Sequence, residues 1–157
     1  MMQRASGFTL IELMVTIAVM AMLIMLAAPF ASGWTERAQL NSAESIWREA
    51  YGRAKAAALR NRHGAHGDQV VSFLCLNDGA LGVRVARDAD TPASCSSTEL
   101  WKSALPSRLK SLRGGGTTEV SCFAFDNRGN LLPEKTCATN NDLELRYGHS
   151  SVSISLY

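Results

Sequence analysis

The residues best placed to do chemistry lie at the start of the chain. They are the Gly7-Phe8 junction and the carboxylate of Glu12. A short polar leader with one base, Arg4, precedes them. An apolar run follows, and from Leu13 to Phe30 no side chain is charged. A carboxylate inside such a run is costly in a bilayer unless it is paired, so Glu12 is expected to have a function and a partner. A peptidase cutting between Gly7 and Phe8 would supply the partner, as a new α-amine four residues before Glu12. The amine of one chain could neutralise the Glu12 carboxylate of the next as helices pack side by side. That pairing would set both the neighbour and the axial register.

The four cysteines, Cys75, Cys95, Cys122 and Cys137, all follow the apolar run. An even number in an exported domain points to disulfides in an oxidising compartment, with free buried thiols as the alternative. Three pairings are open. Cys75–Cys95 with Cys122–Cys137 closes the shortest loops and is preferred. The cysteine and histidine spacings do not suit zinc. His63-Gly64-Ala65-His66 lacks an evident third ligand, and Asp88 and Asp90 read as solvated loop charges rather than a calcium site. No nucleophile elbow, phosphate loop or Cys-His constellation is visible, so neither catalysis nor a cofactor or metal is expected.

The elements that position these residues follow from length and periodicity. Phe8 to Phe30 as a helix reaches roughly 34 Å, enough for a ~30 Å hydrocarbon core. A secretory signal fits less well, because Glu12 interrupts its apolar centre and Pro29 follows Ala27-Ala28 at once. A plain anchor explains the length but not the carboxylate. The single base Arg4 favours a cytoplasmic N-terminus. After a soft point at Ala31-Ser32-Gly33, Ala43, Ile46, Trp47, Ala50, Ala54, Ala57 and Ala58 form one apolar helical stripe. Glu44 with Arg48 and Glu49 with Arg53 are i,i+4 pairs on the wetter side. Gly52 suggests tight packing, and Asn61-Arg62-His63-Gly64 is expected to end the helix, with Gly64 as its stop.

From Gln69 the period becomes alternating. Val71, Phe73 and Cys75 share one face and Val70, Ser72, Leu74 and Leu76 the other. Asn77-Asp78-Gly79 then turns into a second strand through Leu81, Val83 and Val85. Further strands are predicted at Glu99–Lys102, Pro106–Leu112 and Thr118–Phe125, with breaks at Gly114-Gly115-Gly116 and Asp126-Asn127-Arg128-Gly129. Leu143/Leu145/Tyr147 and Val152/Ile154/Leu156 close the chain around Gly148-His149. The expected class is α+β, one long helix packed on an antiparallel sheet. With 157 residues there is room for one compact domain after the span. Sixteen basic residues face fourteen acidic ones, a balance that announces neither nucleic acid nor an acidic substrate.

Gly7-Phe8-Thr9-Leu10-Ile11-Glu12 resembles the class III leader junction of type IV pilins and type II secretion pseudopilins, and Pro29 adds to the likeness. The resemblance implies a leader over residues 1–7, cut after Gly7 by prepilin peptidase, and N-methylation of Phe8. It makes Glu12 the assembly carboxylate. It implies a membrane and filament-core helix over 8–30 and a periplasmic pilin domain over 31–157, anchored in the inner membrane by a single pass. A helix, then a strand ending in Cys75, then Phe125-Asp126-Asn127-Arg128-Gly129 and two closing strands resembles the minor pilin and pseudopilin group that includes GspH, FimT and FimU. A major pilin fits less well, because two small loops replace one large C-terminal disulfide loop.

The implied partners are other minor pilins, the major pilin or pseudopilin, and the inner-membrane assembly platform. The implied function is a minor pilin in pilus assembly, with a secretion pseudopilin as the first alternative. The second is a DNA-uptake subunit, since some FimT-like pilins bind DNA. Here the candidate contacts are Arg108, Lys110 and Arg113, beside a second basic group of Arg53, Lys55, Arg60 and Arg62 with His63. Such groups would bind phosphates weakly and with strong salt dependence. The Gly-Arg-x-Arg ending of the DNA-binding members is absent, and a solvated face is the plainer reading.

Overall fold

A computed structural model describes residues 8–134 and 136–157, residues 27–32 by their backbone alone. Among the described residues one helix and eight strands follow in order. They are α1 (Leu10–Arg60), β1 (Ser72–Asn77), β2 (Ala80–Val85), β3 (Thr98–Ala104), β4 (Lys110–Arg113), β5 (Cys122–Phe125), β6 (Leu131–Leu132), β7 (Asp142–Tyr147) and β8 (Ser150–Ser155). The fold is α+β, with the helix packed on antiparallel sheet. By compactness the chain divides into Met1–Thr35 and Glu36–Tyr157.

The strands form two sheets rather than one. The first runs β3-β2-β1-β5-β6 and the second β4-β7-β8. All pairings are antiparallel. The split begins at the glycine turn. Ser111 and Arg113 of β4 bond back to Val120 and Thr118, while the other edge of β4 pairs with β7. Gly114 permits this corner, since a Cβ there would lie 2.6 Å from Cβ of Asp142.

The helical stripe meets both sheets. Ala43, Trp47, Ala50, Tyr51, Ala54 and Ala58 are buried, at a three- and four-residue spacing that keeps them on one face. The alanines carry no long side chain, so the backbone approaches the strands closely. Trp47 fills the junction. Its indole N–H donates to the Ser111 hydroxyl of β4 at 3.1 Å, and its ring meets Phe123 of β5 edge-on, with centroids 6.0 Å apart. Tyr51 stacks edge-on against Phe123 and Phe125 and donates its hydroxyl proton to Asn141 Oδ1 at 3.0 Å.

Several boundaries differ from the sequence reading. The helix stops at Arg60, and the left-handed residue that ends it is Asn61, at φ 37°. The Asn61 side chain holds both the N–H and the carbonyl of Ala65, a local bonding that lets asparagine tolerate this conformation. Gly64 is a second left-handed residue, beyond the stop. Gly52 faces open space, so it marks no close approach. The segment Pro106–Leu109 is a turn, closed by the Leu109 N–H on the Pro106 carbonyl, with Arg108 at φ 71°. As expected of one long helix, α1 continues through the soft point at residues 31–33.

Two polar anchors fasten the remaining turns. Asp126 is buried, which alone would raise its pKa. Hydrogen bonds from the Asn130 backbone and side chain and from the Arg128 backbone outweigh that, and hold it below the usual carboxylate range. At the opposite end of the packed helix, Glu36 accepts from Ser150 at 2.8 Å. The Ser150 hydroxyl, aided by the His149 amide, lowers the Glu36 pKa. A side chain at Gly148 would collide with this carboxylate.

Two outcomes are expected. Ser111→Ala strands the buried indole N–H of Trp47 and should lower the unfolding free energy by about 1–3 kcal/mol, read by denaturant titration. A depressed folded pKa means that the Glu36 contribution is full above the ordinary glutamate value, 4.5, and is lost as pH falls through the lower folded value. Glu36→Gln should therefore lose stability at neutral pH yet show a flatter decline in acid than the parent, in thermal melts taken across pH.

Candidate functional site

The helix begins at a capping sequence. The Thr9 hydroxyl oxygen accepts from the Glu12 backbone N–H at 3.3 Å, and the Thr9 carbonyl accepts from Leu13 N–H at 3.2 Å. Thr9-Leu10-Ile11-Glu12 thus has the Thr-x-x-Glu order of a capping box, and its acid stands in the first turn, at the positive end of the helix dipole. The sequence reading passed over Thr9, although the spacing was there to be read. The Glu12 carboxylate itself has no hydrogen bond or ion pair among the described residues.

The residues after it share one property. From Phe8 to Leu26 every side chain is exposed. Phe8 is 83%, Ile11 71% and Leu26 69% exposed. A helix that is apolar all round needs an apolar surrounding, either hydrocarbon or other helices. Among the described residues no helix is long and apolar enough to cross a membrane; in the sequence the apolar run continues beyond Leu26 to Phe30. Gly7, the residue before the expected cut, lies outside the described residues.

Residues 2–28 match the prokaryotic N-terminal methylation motif. This is a prepilin-type N-terminus. The match supports a membrane-anchored type IV pilin-like or pseudopilin protein, processed by prepilin peptidase and assembled with other pilins into a pilus or pseudopilus. No curated protein and no solved structure matches the chain.

The cysteines of the domain lie behind the first sheet. Cys75 of β1 and Cys122 of β5 are direct cross-strand partners. Each bonds to a loop rather than to the other. Cys75 joins Cys95 in the β2–β3 loop, with Cα atoms 5.7 Å apart, and Cys122 joins Cys137 after β6, at 4.5 Å. Strand alternation sends Leu74, Phe123 and Phe125 to the helix, and Phe73, Cys75, Cys122 and Ala124 to the back. There Ala86, Ala93 and Cys137 cover them.

The three residues singled out for nucleic acid are not assembled into one patch. Arg108 is an exposed turn residue, and Lys110 is exposed at the start of β4. Arg113 is half-buried and donates to the Thr136 carbonyl at 2.8 Å, so it serves the Cys137 loop. Lys110 and Arg113 point to opposite faces of β4, because side chains alternate along a strand. The other basic group is better formed. Arg53, Arg60, Arg62 and His63 line a cavity of about 500 Å³ together with Arg87 and Trp101, neither of which the sequence reading attached to that group.

Replacing Cys122 and Cys137 together by serine should cost about 2–4 kcal/mol of stability, because the disulfide closes a fifteen-residue separation that the unfolded chain would otherwise explore. Guanidinium unfolding of the parent and the double variant measures it.

Proposed function

We propose that this chain is a minor pilin of a type IV pilus, in the group that includes GspH, FimT and FimU. Prepilin peptidase cuts it after Gly7, and Phe8 becomes the N-methylated first residue. Its helix, over 8–30, holds the protein in the inner membrane with the N-terminus cytoplasmic and the domain periplasmic. The subunit is then drawn into the filament. Its chemistry is assembly, with no catalysis of its own.

One observation carries this reading. A helix exposed and apolar on every side from Phe8 to Leu26 holds a single carboxylate, Glu12, that has no hydrogen bond or ion pair among the described residues. Bundling with like helices buries the apolar surface and places Glu12 beside the α-amine of a neighbour. Each amine–carboxylate contact in such a medium is strong only when both partners are present, so it acts as a register device. Two short disulfide-closed loops, in place of one large C-terminal loop, support a minor rather than a major subunit.

Glu12→Ala should leave cleavage of the leader intact and impair incorporation, measured as subunit recovered in sheared filaments. Normal incorporation would remove the role given to Glu12. A bulky residue in place of Gly7 should leave the precursor uncut, and a product of mature mass would refute the cleavage position. A deletion strain should lose surface pili and regain them on complementation. Unchanged pili with a fall in secreted protein would instead assign the chain to a secretion pseudopilus.

A further inference from the structure

The cavity beside Arg60 lies wholly within Glu36–Tyr157 and owes nothing to the N-terminal motif. One wall is the end of α1 and the residues after it, Arg53, Ala57, Arg60 and Arg62. The other is β3, with Thr98, Leu100 and Trp101. Val71, Val85 and Ala86 contribute apolar surface between them. A volume of about 500 Å³ is within the range of binding clefts and would admit one or two large side chains.

Three properties of this groove point the same way. The first is charge. Arg53 is held by Glu49 at 2.8 Å and lies over the Trp101 ring, 5.3 Å from its centroid. Arg60, Arg62 and Arg87 have no ion pair or hydrogen bond among the described residues. The one acid in the lining, Glu99, is engaged by Arg84. The second is the strand edge. β3 is the terminal strand of the five-stranded sheet and among the described residues pairs with β2 alone, so one row of its backbone groups is open to a further strand. The third is an apolar contact point. The β2–β3 register shifts between Val83 and Arg84, which leaves Leu100 without a cross-strand partner. Leu100 lies in the groove and is 55% exposed.

We propose that this groove binds an acidic, extended polypeptide segment of another protein, which adds as a strand along β3. Its backbone would pair with β3. An apolar side chain would rest on Leu100 and Trp101, and its carboxylates would meet Arg60, Arg62 and Arg87. A second copy of this chain is disfavoured as occupant, because a symmetric β3–β3 contact would bring two arginine sets together.

The test uses the full chain in detergent micelles and a fluorescein-labelled peptide of alternating glutamate and valine, about eight residues long to match a strand. Controls are the lysine–valine peptide, the glutamate–valine peptide N-methylated at alternate amides, and a single-stranded oligonucleotide of equal charge. The glutamate–valine peptide should bind and should slow hydrogen exchange at β3 amides. R60E with R62E should weaken it roughly tenfold or more, as charge reversal at a complementary surface does. Lysine at both positions should retain most of the binding, which separates charge from folding. The proposal is overturned by no binding, by equal binding of the lysine or N-methylated peptide, or by unprotected β3 amides. It is equally overturned by preference for the oligonucleotide, or by self-association of the chain through β3.

Discussion

The contact of the helix with two sheets at once is the constraint on which the folded unit depends. Trp47 touches Phe123 in one sheet and bonds to Ser111 in the other. Tyr51, one turn further on, packs on Phe123 and Phe125 and reaches Asn141 before β7. The helix-facing sides of the two sheets share one core. Leu74, Leu81, Leu143 and Leu145 belong to a single apolar cluster with the helix stripe. Large-to-small changes at such a centre carry both lost burial and a cavity, so the aromatic pair carries far more of the stability than the exposed ion pairs along the helix.

The back of the first sheet is closed by different means. Few long apolar side chains are available there, and the covering loops are polar. Two disulfides supply what burial does not. Each begins on a central strand, at Cys75 or Cys122, and pins a loop that would otherwise leave Phe73 and Ala124 to solvent. Backbone bonds follow the same route, with Ala93 N–H on the Val70 carbonyl and Ala138 N–H on the Cys122 carbonyl. The two ends of the β2–β3 loop, at Arg87 and Thr98, contribute to the arginine groove.

The N-terminal half of α1 answers to another solvent. A water-soluble helix shows an apolar stripe, as residues 40–58 do. Residues 8–26 show none, and all are exposed. The chain therefore holds two kinds of helix under one hydrogen-bonded ladder. One is satisfied by its own domain, and the other is complete only when hydrocarbon or neighbouring helices surround it.

Short-range spacing accounts for the local features. Glu12 within an uncharged run, the alanine and tryptophan stripe, the Asn-Asp-Gly and Asp-Asn-Arg-Gly turns, and the alternation of the strands are all written in short-range spacing. The Asn61-Arg62-His63-Gly64 run marks the helix end, but asparagine and glycine both tolerate a left-handed backbone, and only the Asn61 bonds to Ala65 decide which of them stops it. What the tertiary structure decided is long-range. Alternation says that the faces of β1 differ, not that helix covers one and disulfide loops the other. A basic residue in sequence does not show whether it will bond a carbonyl, as Arg113 does, or line a groove with no ion pair among the described residues, as Arg60 and Arg62 do. The division into two sheets rests on a glycine corner and a tryptophan bond across sixty-four positions. Such contacts depend on the whole chain being folded, since each side gains its partner only when the other is already in place.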